Sequence, residues 1–474
     1  MEEFGCLING EWVAPNGTED VLSPYTGEPV FRVSIAKEAQ VTTAIDAAAK
    51  AFESWSQSPA HERSRLLHRT CALLEERAED LARTIALEAG KPIRDARGEV
   101  ARAVQTFRFA AEGAKNIYGE TIPMDAAVGS EKRVGITFRQ PIGVIAAISP
   151  FNFPLNLVAH KVAPALATAN TVVLKPASVT PVTALKLGEI LGEAGFPAGV
   201  VNVLVGSGAE VGNPMVESKK VAMVTFTGSP PVGMGIRDRA GMKKVILELG
   251  SNSATIVHED ADLAAAARAI AKGAFAFAGQ VCISVQRVLV HEAVQQRFLS
   301  LFLPLVQALK VGDPLGEDID VGPMIDRAAA DRGSAWIQEA LKGGARALME
   351  GKQEGSLVWP WVLADVKRDM KIVCEEAFAP VATVQTYKTF DEAIALVNDS
   401  QFGLQAGVFT NNVNLAFQAG RQIHTGGVII NDTSNYRADH MPYGGLKLSG
   451  MGREGIRYTM EEMTEVKLVA FNLA

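Results

Sequence analysis

Between residues 142 and 249 the chain repeats one unit: a short apolar run, a loop, then a helical stretch. The runs are Ile142–Ile148, Thr171–Leu174, Val200–Val205, Ala222–Phe226 and Lys244–Leu249. A strand wetted on one face alternates apolar with polar residues, so unbroken runs of this length suit strands buried on both faces of a parallel sheet. The intervening segments begin near Pro154, Pro181, Gly208 and Pro231. Proline fits the first turn of a helix because its missing N–H has no partner there anyway. The series βαβαβαβαβ predicts an α/β, doubly wound sheet.

The rest of the chain falls around this unit. Arg63 to Tyr118 reads as helices. Within it Val100, Val104, Phe107 and Ala111 recur at spacings of three and four and give one apolar face. A second α/β region follows the sheet: helical Asp262–Ala278, strand Arg287–Val290, a helix through Leu309, strand Val381–Gln385, helix Phe390–Asn398, then strands Ala406–Thr410 and Gly427–Asn431. Gly119–Phe138 reads as an extended insertion, and Val466–Phe471 as a terminal strand. A chain of 474 residues exceeds one ordinary core, so two or three domains are expected.

Composition narrows the class. Lys and Arg number 46 against 53 Asp and Glu, unclustered, which argues against a nucleic-acid surface. No apolar run reaches the roughly 18 residues needed to span a bilayer. The start, Met1-Glu2-Glu3, lacks the basic and apolar regions of a signal peptide. Four scattered cysteines suit neither a disulfide framework nor a metal site. A cytoplasmic protein without metal, nucleic-acid or membrane partners is expected.

In an open parallel sheet, ligands bind beyond the carboxyl ends of the strands. Those ends carry Ser149-Pro150-Phe151-Asn152, Lys175 with Ser178, Gly206-Ser207-Gly208, Thr227-Gly228-Ser229 and Glu248-Leu249-Gly250. The glycine turns let backbone N–H groups approach phosphate at a helix N-terminus. Cys6, Cys71 and Cys374 read as small buried hydrophobes. Cys282 stands instead in a polar turn, Gly279-Gln280-Val281-Cys282-Ile283-Ser284.

With those residues in view, the chain resembles the aldehyde dehydrogenase superfamily over nearly its whole length. The matching segments are SPFNFP at Ser149–Pro154, Lys175-Pro176, FTGS at Phe226–Ser229, LELG at Leu247–Gly250, GQVC at Gly279–Cys282, EEAFAP at Glu375–Pro380 and PYGGLKLSGMGREG at Pro442–Gly455. Within it the chain looks like the lactaldehyde and non-phosphorylating glyceraldehyde-3-phosphate dehydrogenase branch. The resemblance implies a Rossmann-type cofactor domain (1–118 and 139–250, with 440–461 packing back onto it), an α/β catalytic domain (251–439), and a β oligomerisation arm (119–138 and 462–474). It implies that Cys282 attacks an aldehyde as a thiolate, Asn152 donates to the oxyanion, and Glu248 activates the water that hydrolyses the thioester. Lys175 would hold the adenosine ribose, Gly228 and Ser229 the pyrophosphate, Glu376 the nicotinamide ribose, with Phe378 beside the ring. The strand ends add Ser149, Phe151, Gly208 and Gly250 to the cofactor set.

Several positions depart from the pattern. Ser178 stands where NAD-preferring relatives carry a glutamate that would repel a 2′-phosphate, so NADP is admitted beside NAD. Ser251 replaces a glycine, which calls for an ordinary backbone there. On the substrate side Arg108, His160, Arg437 and His440 are polar and point to a short hydroxylated or anionic aldehyde, of the lactaldehyde, glyceraldehyde 3-phosphate, phosphonoacetaldehyde or semialdehyde type. Two other functions compete: acyl transfer to coenzyme A, whose enzymes lack the glutamate, and a non-catalytic binding protein, which would lack the nucleophile. A homodimer or a dimer-based tetramer is expected, with the terminal strand adding to a neighbour's sheet.

Overall fold

The structure, a computed structural model, describes residues 1–14 and 17–473. Among these, eight strands form a first sheet in the order Gly450–Met451, Lys244–Glu248, Val221–Thr227, Val144–Ile148, Thr171–Lys175, Val201–Val203, Cys6–Ile8, Glu11–Val13. The five central strands are parallel. Every residue of Val144–Ile148 and Thr171–Lys175 is buried. Successive side chains point to opposite faces, so both faces are covered, as the unbroken apolar runs require. The helix Asn156–Ala167 is itself buried all round. The strand order reverses between Val144–Ile148 and Val221–Thr227, which opens a crevice at their carboxyl ends.

The sequence left 1–62 unassigned. That segment supplies the hairpin Cys6–Ile8/Glu11–Val13, which extends the sheet through antiparallel pairs, and the helix Glu38–Trp55. Three-residue strands are too short to show a period, so no pattern marked them.

Two buried carboxylates orient the helices behind the crevice. Glu99, on the helix Ile93–Gly113, accepts hydrogen bonds from the backbone N–H groups of Leu155 and Asn156. Glu88 accepts from those of Val182 and Thr183. Each satisfies donors that a helix start leaves unpaired.

At Leu249–Ser253 the chain leaves the first sheet for a second. Its seven described strands run Arg346–Met349, Trp361–Ala364, Val381–Tyr387, Arg287–His291, Ala254–Val257, Gln405–Phe409, Gly427–Ile430, all parallel except the first. Ala254–Val257 and the helix Arg327–Lys342 went unassigned in the sequence. The helix expected over Asp262–Ala278 is shorter. It spans Leu263–Phe275, and Phe277, Ala278 and Gly279 then take consecutive left-handed conformations with φ of 48°, 54° and 72°. Alanine-rich composition hid that stop. A Cβ at Gly279 would lie 2.3 Å from the Ala379 carbonyl oxygen, so this turn is held against the neighbouring loop.

Arg133–Pro141 pairs with Thr464–Asn472 over nine residue pairs to make an antiparallel ribbon, joined by Thr121–Ile122. Among the described residues no helix is long and apolar enough to cross a membrane, and no cluster of three His, Cys, Asp or Glu could hold a metal.

Candidate active site

Two cavities meet at Cys282. The first, about 830 Å³, lies beyond the carboxyl ends of the first sheet. Its lining includes Ser149, Phe151, Asn152, Lys175, Gly208, Gly228, Ser229, Glu248, Gly250, Glu376 and Phe378. The second, about 700 Å³, lies on the other side of the thiol between the Ile93–Gly113 and Leu263–Phe275 helices. Cys282 and Leu157 line both.

The first cavity gathers polar groups from several strand ends. Buried Ser149 Oγ has no hydrogen-bond partner among the described residues. The Lys175 ammonium reaches only the Pro176 carbonyl, 3.1 Å away, and burial pulls its pKa down to about 8. Ser229 precedes the helix Pro230–Ala240, whose first turn holds both prolines. Glu376 accepts from the Ser251 N–H at 2.9 Å through one oxygen, and burial pushes its pKa up to about 7. A Cβ at Gly250 would lie 2.5 Å from the other Glu376 oxygen, so glycine there keeps the carboxylate in place. Phe378 takes a left-handed φ of 47° and sets its ring edge-on to Phe151, centroids 5.9 Å apart. Ser251 keeps an ordinary φ and pairs with Ser253 at 3.0 Å. Ser178 does not line the cavity. It is exposed, and its hydroxyl donates to the Gly206 carbonyl at 2.8 Å.

At the junction, the Asn152 amide donates to the Gln280 carbonyl at 2.8 Å, which leaves one N–H of the group. Glu248, at the end of its strand, is 3% exposed, and neither carboxylate oxygen has a hydrogen-bond partner among the described residues. Burial, then the charge of Glu454, drives its pKa well above the ordinary carboxyl value against Arg437, Lys161 and Arg453. Burial pushes the Cys282 thiol up to about 11, opposed by a hydrogen bond with the Tyr443 hydroxyl at 3.1 Å and by Arg437.

The second cavity corrects part of the substrate-side expectation. Arg108 and His440 do not line it. Arg108 turns outward to Glu75, 2.7 Å away, because it sits off the buried stripe of its helix. His440 is exposed and stacks on Phe109. His160 also stays off the wall. It is fully buried, and burial and then Arg437 lower its pKa, so the ring is neutral, its Nε2 3.0 Å from Asp439. Arg437 does line the cavity. It pairs with Glu454 at 3.0 Å and lies 3.7 Å from the centre of the Tyr443 ring.

Apart from Arg437, sequence reasoning missed the residues that give the cavity its charge. Among the described residues its wall carries Lys91, Arg94, Arg102, Arg268, Lys272 and Arg437 against Asp95, Glu99 and Asp320. Lys91 pairs with Glu99, Arg94 with Asp320, and Arg102 with Asp439. No ion pair to a described residue holds Arg268 or Lys272. One turn apart on an alanine-rich helix, these two were a legible signal. Lys161 was another: a lysine inside an all-buried helix demands a buried counter-ion, here Glu454 at 2.9 Å.

The crevice beyond the strand ends, Cys282 between two cavities and the buried Glu248 carboxyl thus lie together. The sequence model of the Aldehyde dehydrogenase family matches residues 12–469. The chain belongs to the aldehyde dehydrogenase family. It is 48% identical over 473 residues to the 3-sulfolactaldehyde dehydrogenase of Priestia aryabhattai, covering 100% of this chain and 99% of that protein. It is 40% identical over 467 residues to the lactaldehyde dehydrogenase of Methanocaldococcus jannaschii, covering 98% and 99%. The structure of an NADP-dependent glyceraldehyde-3-phosphate dehydrogenase from Bacillus halodurans, complexed with NADP, superposes with a TM-score of 0.97 at 38% identity over 100% of both chains. Like its family, the chain is an aldehyde oxidoreductase dependent on NAD(P). That sets aside the non-catalytic reading.

Proposed function

We propose that this aldehyde dehydrogenase oxidises a short aldehyde bearing an anionic end group (sulfonate, phosphate or carboxylate) to the acid, through a thioester on Cys282. The observation that carries the substrate class is the cation-rich second cavity, with Arg268 and Lys272 unpaired at its wall. An unpaired cation there gains more from an anionic ligand than a paired one would. The sulfonate and phosphate in the relatives' names agree with this choice.

Cys282 Sγ attacks the aldehyde carbon, and the remaining N–H of Asn152 with the Cys282 backbone N–H donates to the oxyanion. The bound dinucleotide supplies the hydride acceptor. Lys175, Ser149, Ser229 and Glu376 would hold it, and Phe378 lines the same cavity. Once the carbon is oxidised, the acyl group remains on Sγ. Glu248 accepts a proton from water, hydroxide adds to the thioester, and the acid departs as Sγ regains the electron pair. Glu248, at the cavity wall with neither oxygen hydrogen-bonded to a described residue, favours hydrolysis over acyl transfer to coenzyme A. Ser178 leaves room for NADP as well as NAD.

We further assign 1–118, 139–250 and 440–461 to the cofactor domain, 251–439 to the catalytic domain, and 119–138 with 462–474 to an arm for homo-oligomers. The test of substrate class is steady-state kinetics on matched anionic and neutral aldehydes, with acid and acyl-CoA both assayed. The highest kcat/KM on the anionic series with acid as product supports the reading. Preference for neutral aldehydes, or acyl-CoA as product, overturns it.

A further inference from the structure

A chain of charged groups runs through the protein behind the nucleophile and ends on its sulfur. Lys161 lies inside the buried helix Asn156–Ala167, donating to Thr227 at 2.7 Å and to Glu454 at 2.9 Å. The other oxygen of Glu454 accepts from Arg437 at 3.0 Å. The Arg437 guanidinium lies 3.7 Å from the Tyr443 ring centre, and the Tyr443 hydroxyl is 3.1 Å from Cys282 Sγ. Tyr443, Lys161 and Glu454 are buried and the Arg437 side chain is 6% exposed, so solvent screens the row only weakly. Burying a lysine, a glutamate and an arginine is costly for stability alone.

We propose that Tyr443 is a positioning residue for the nucleophile: its hydroxyl donates to the Cys282 thiolate, and the Lys161–Glu454–Arg437 row keeps a fixed positive charge against its ring. This rests on the reading of Cys282 as nucleophile. Either partner can donate while the sulfur is a thiol. Once the sulfur ionises it has no proton left, so only the O–H can donate. A cation on the ring face draws electron density from the phenol and makes that O–H a stronger donor. Tyr443 keeps its own proton throughout, since burial, and then Cys282, hold its pKa well above the ordinary value. The charged groups facing the sulfur are Arg437, which favours the thiolate, and Glu376 and Glu248, which oppose it. Tyr443 and Arg437 thus offset the burial that would keep the thiol inert.

The test is the pH profile of Cys282 alkylation by iodoacetamide, read by peptide mass, in wild type and Tyr443→Phe. Phenylalanine keeps the ring and its cation contact and removes only the hydroxyl. The midpoint moves up by about one pH unit, so alkylation is about tenfold slower below it, and the two rates converge at high pH. An unchanged midpoint, or uniform slowing at every pH, overturns the proposal. Cys282→Ala separates this from the nucleophile reading. A dead variant supports that reading and leaves the Tyr443→Phe profile to decide. An active variant overturns both.

Discussion

A buried Glu248, unpartnered among the described residues, costs the fold stability. Its folded pKa stands well above the value of about 4.3 it has in an unfolded chain. Unfolding therefore releases a proton at pH values between the two. The stability Glu248 contributes is full below about pH 4 and is lost as pH rises through its folded pKa. Glu248→Gln removes that loss, so its Tm rises by about a degree or two at pH 8 and by less at pH 5, measured by calorimetry. The same variant stalls at the acyl-enzyme: one burst of NAD(P)H, then almost no turnover. In wild type kcat/KM climbs with pH above neutrality, because base and thiol both need to ionise against burial. Asn152→Ala lowers kcat by about 10²–10³-fold, the loss of one oxyanion donor. The strand ends singled out Asn152, Glu248 and Lys175 and the polar turn singled out Cys282, and the structure brings all four to the first cavity. Tyr443, Glu454 and Asp439 were not, because each acts through partners more than a hundred residues away. Cys374 was misread as buried; it is half-exposed at the end of a four-residue helix too short to show a face.

At the scale of elements, the central strands were read from the sequence because burial on both faces leaves an unbroken apolar run. The exposed edge strands carry no such mark. The helix Leu263–Phe275 illustrates the same limit: its apolar stripe was visible, its C-terminal stop at the left-handed turn was not. That helix also presents Arg268 and Lys272 to the second cavity. Replacing both with glutamine lowers kcat/KM for an anionic aldehyde by about tenfold or more, about 0.7 kcal/mol for each charge removed. A neutral aldehyde of equal length is unaffected. Equal loss on both would place the pair outside the substrate's reach. On the cofactor side, Ser178 adjoins the cavity-lining Ala177, so the longer carboxylate of Ser178→Glu raises the KM for NADP more than that for NAD in steady-state kinetics.

Among the described residues the two largest sheets join at Leu249–Ser253, and a separate ribbon pairs Arg133–Pro141 with Thr464–Asn472. The ribbon of Arg133–Pro141 and Thr464–Asn472 exposes Val134, Ile136, Phe138 and Phe471, and the register places them on one face. A monomer gains nothing from such a face. Ile136→Glu with Phe138→Glu lowers the solution mass by light scattering with the circular dichroism of the fold retained; unchanged mass would remove the arm from assembly. The site spans both sheets, since Glu248 ends a strand of one and Cys282 precedes a strand of the other. The central claim is that Cys282, at the meeting point of the two cavities, carries the acyl group. Intact-protein and peptide mass spectrometry of the Glu248→Gln variant, quenched in acid after one turnover with NADP and an anionic aldehyde, tests it most directly. The acyl mass on the peptide containing Cys282 is the expected result. A burst of NADPH with no adduct, or an adduct on Cys6, Cys71 or Cys374, would contradict it.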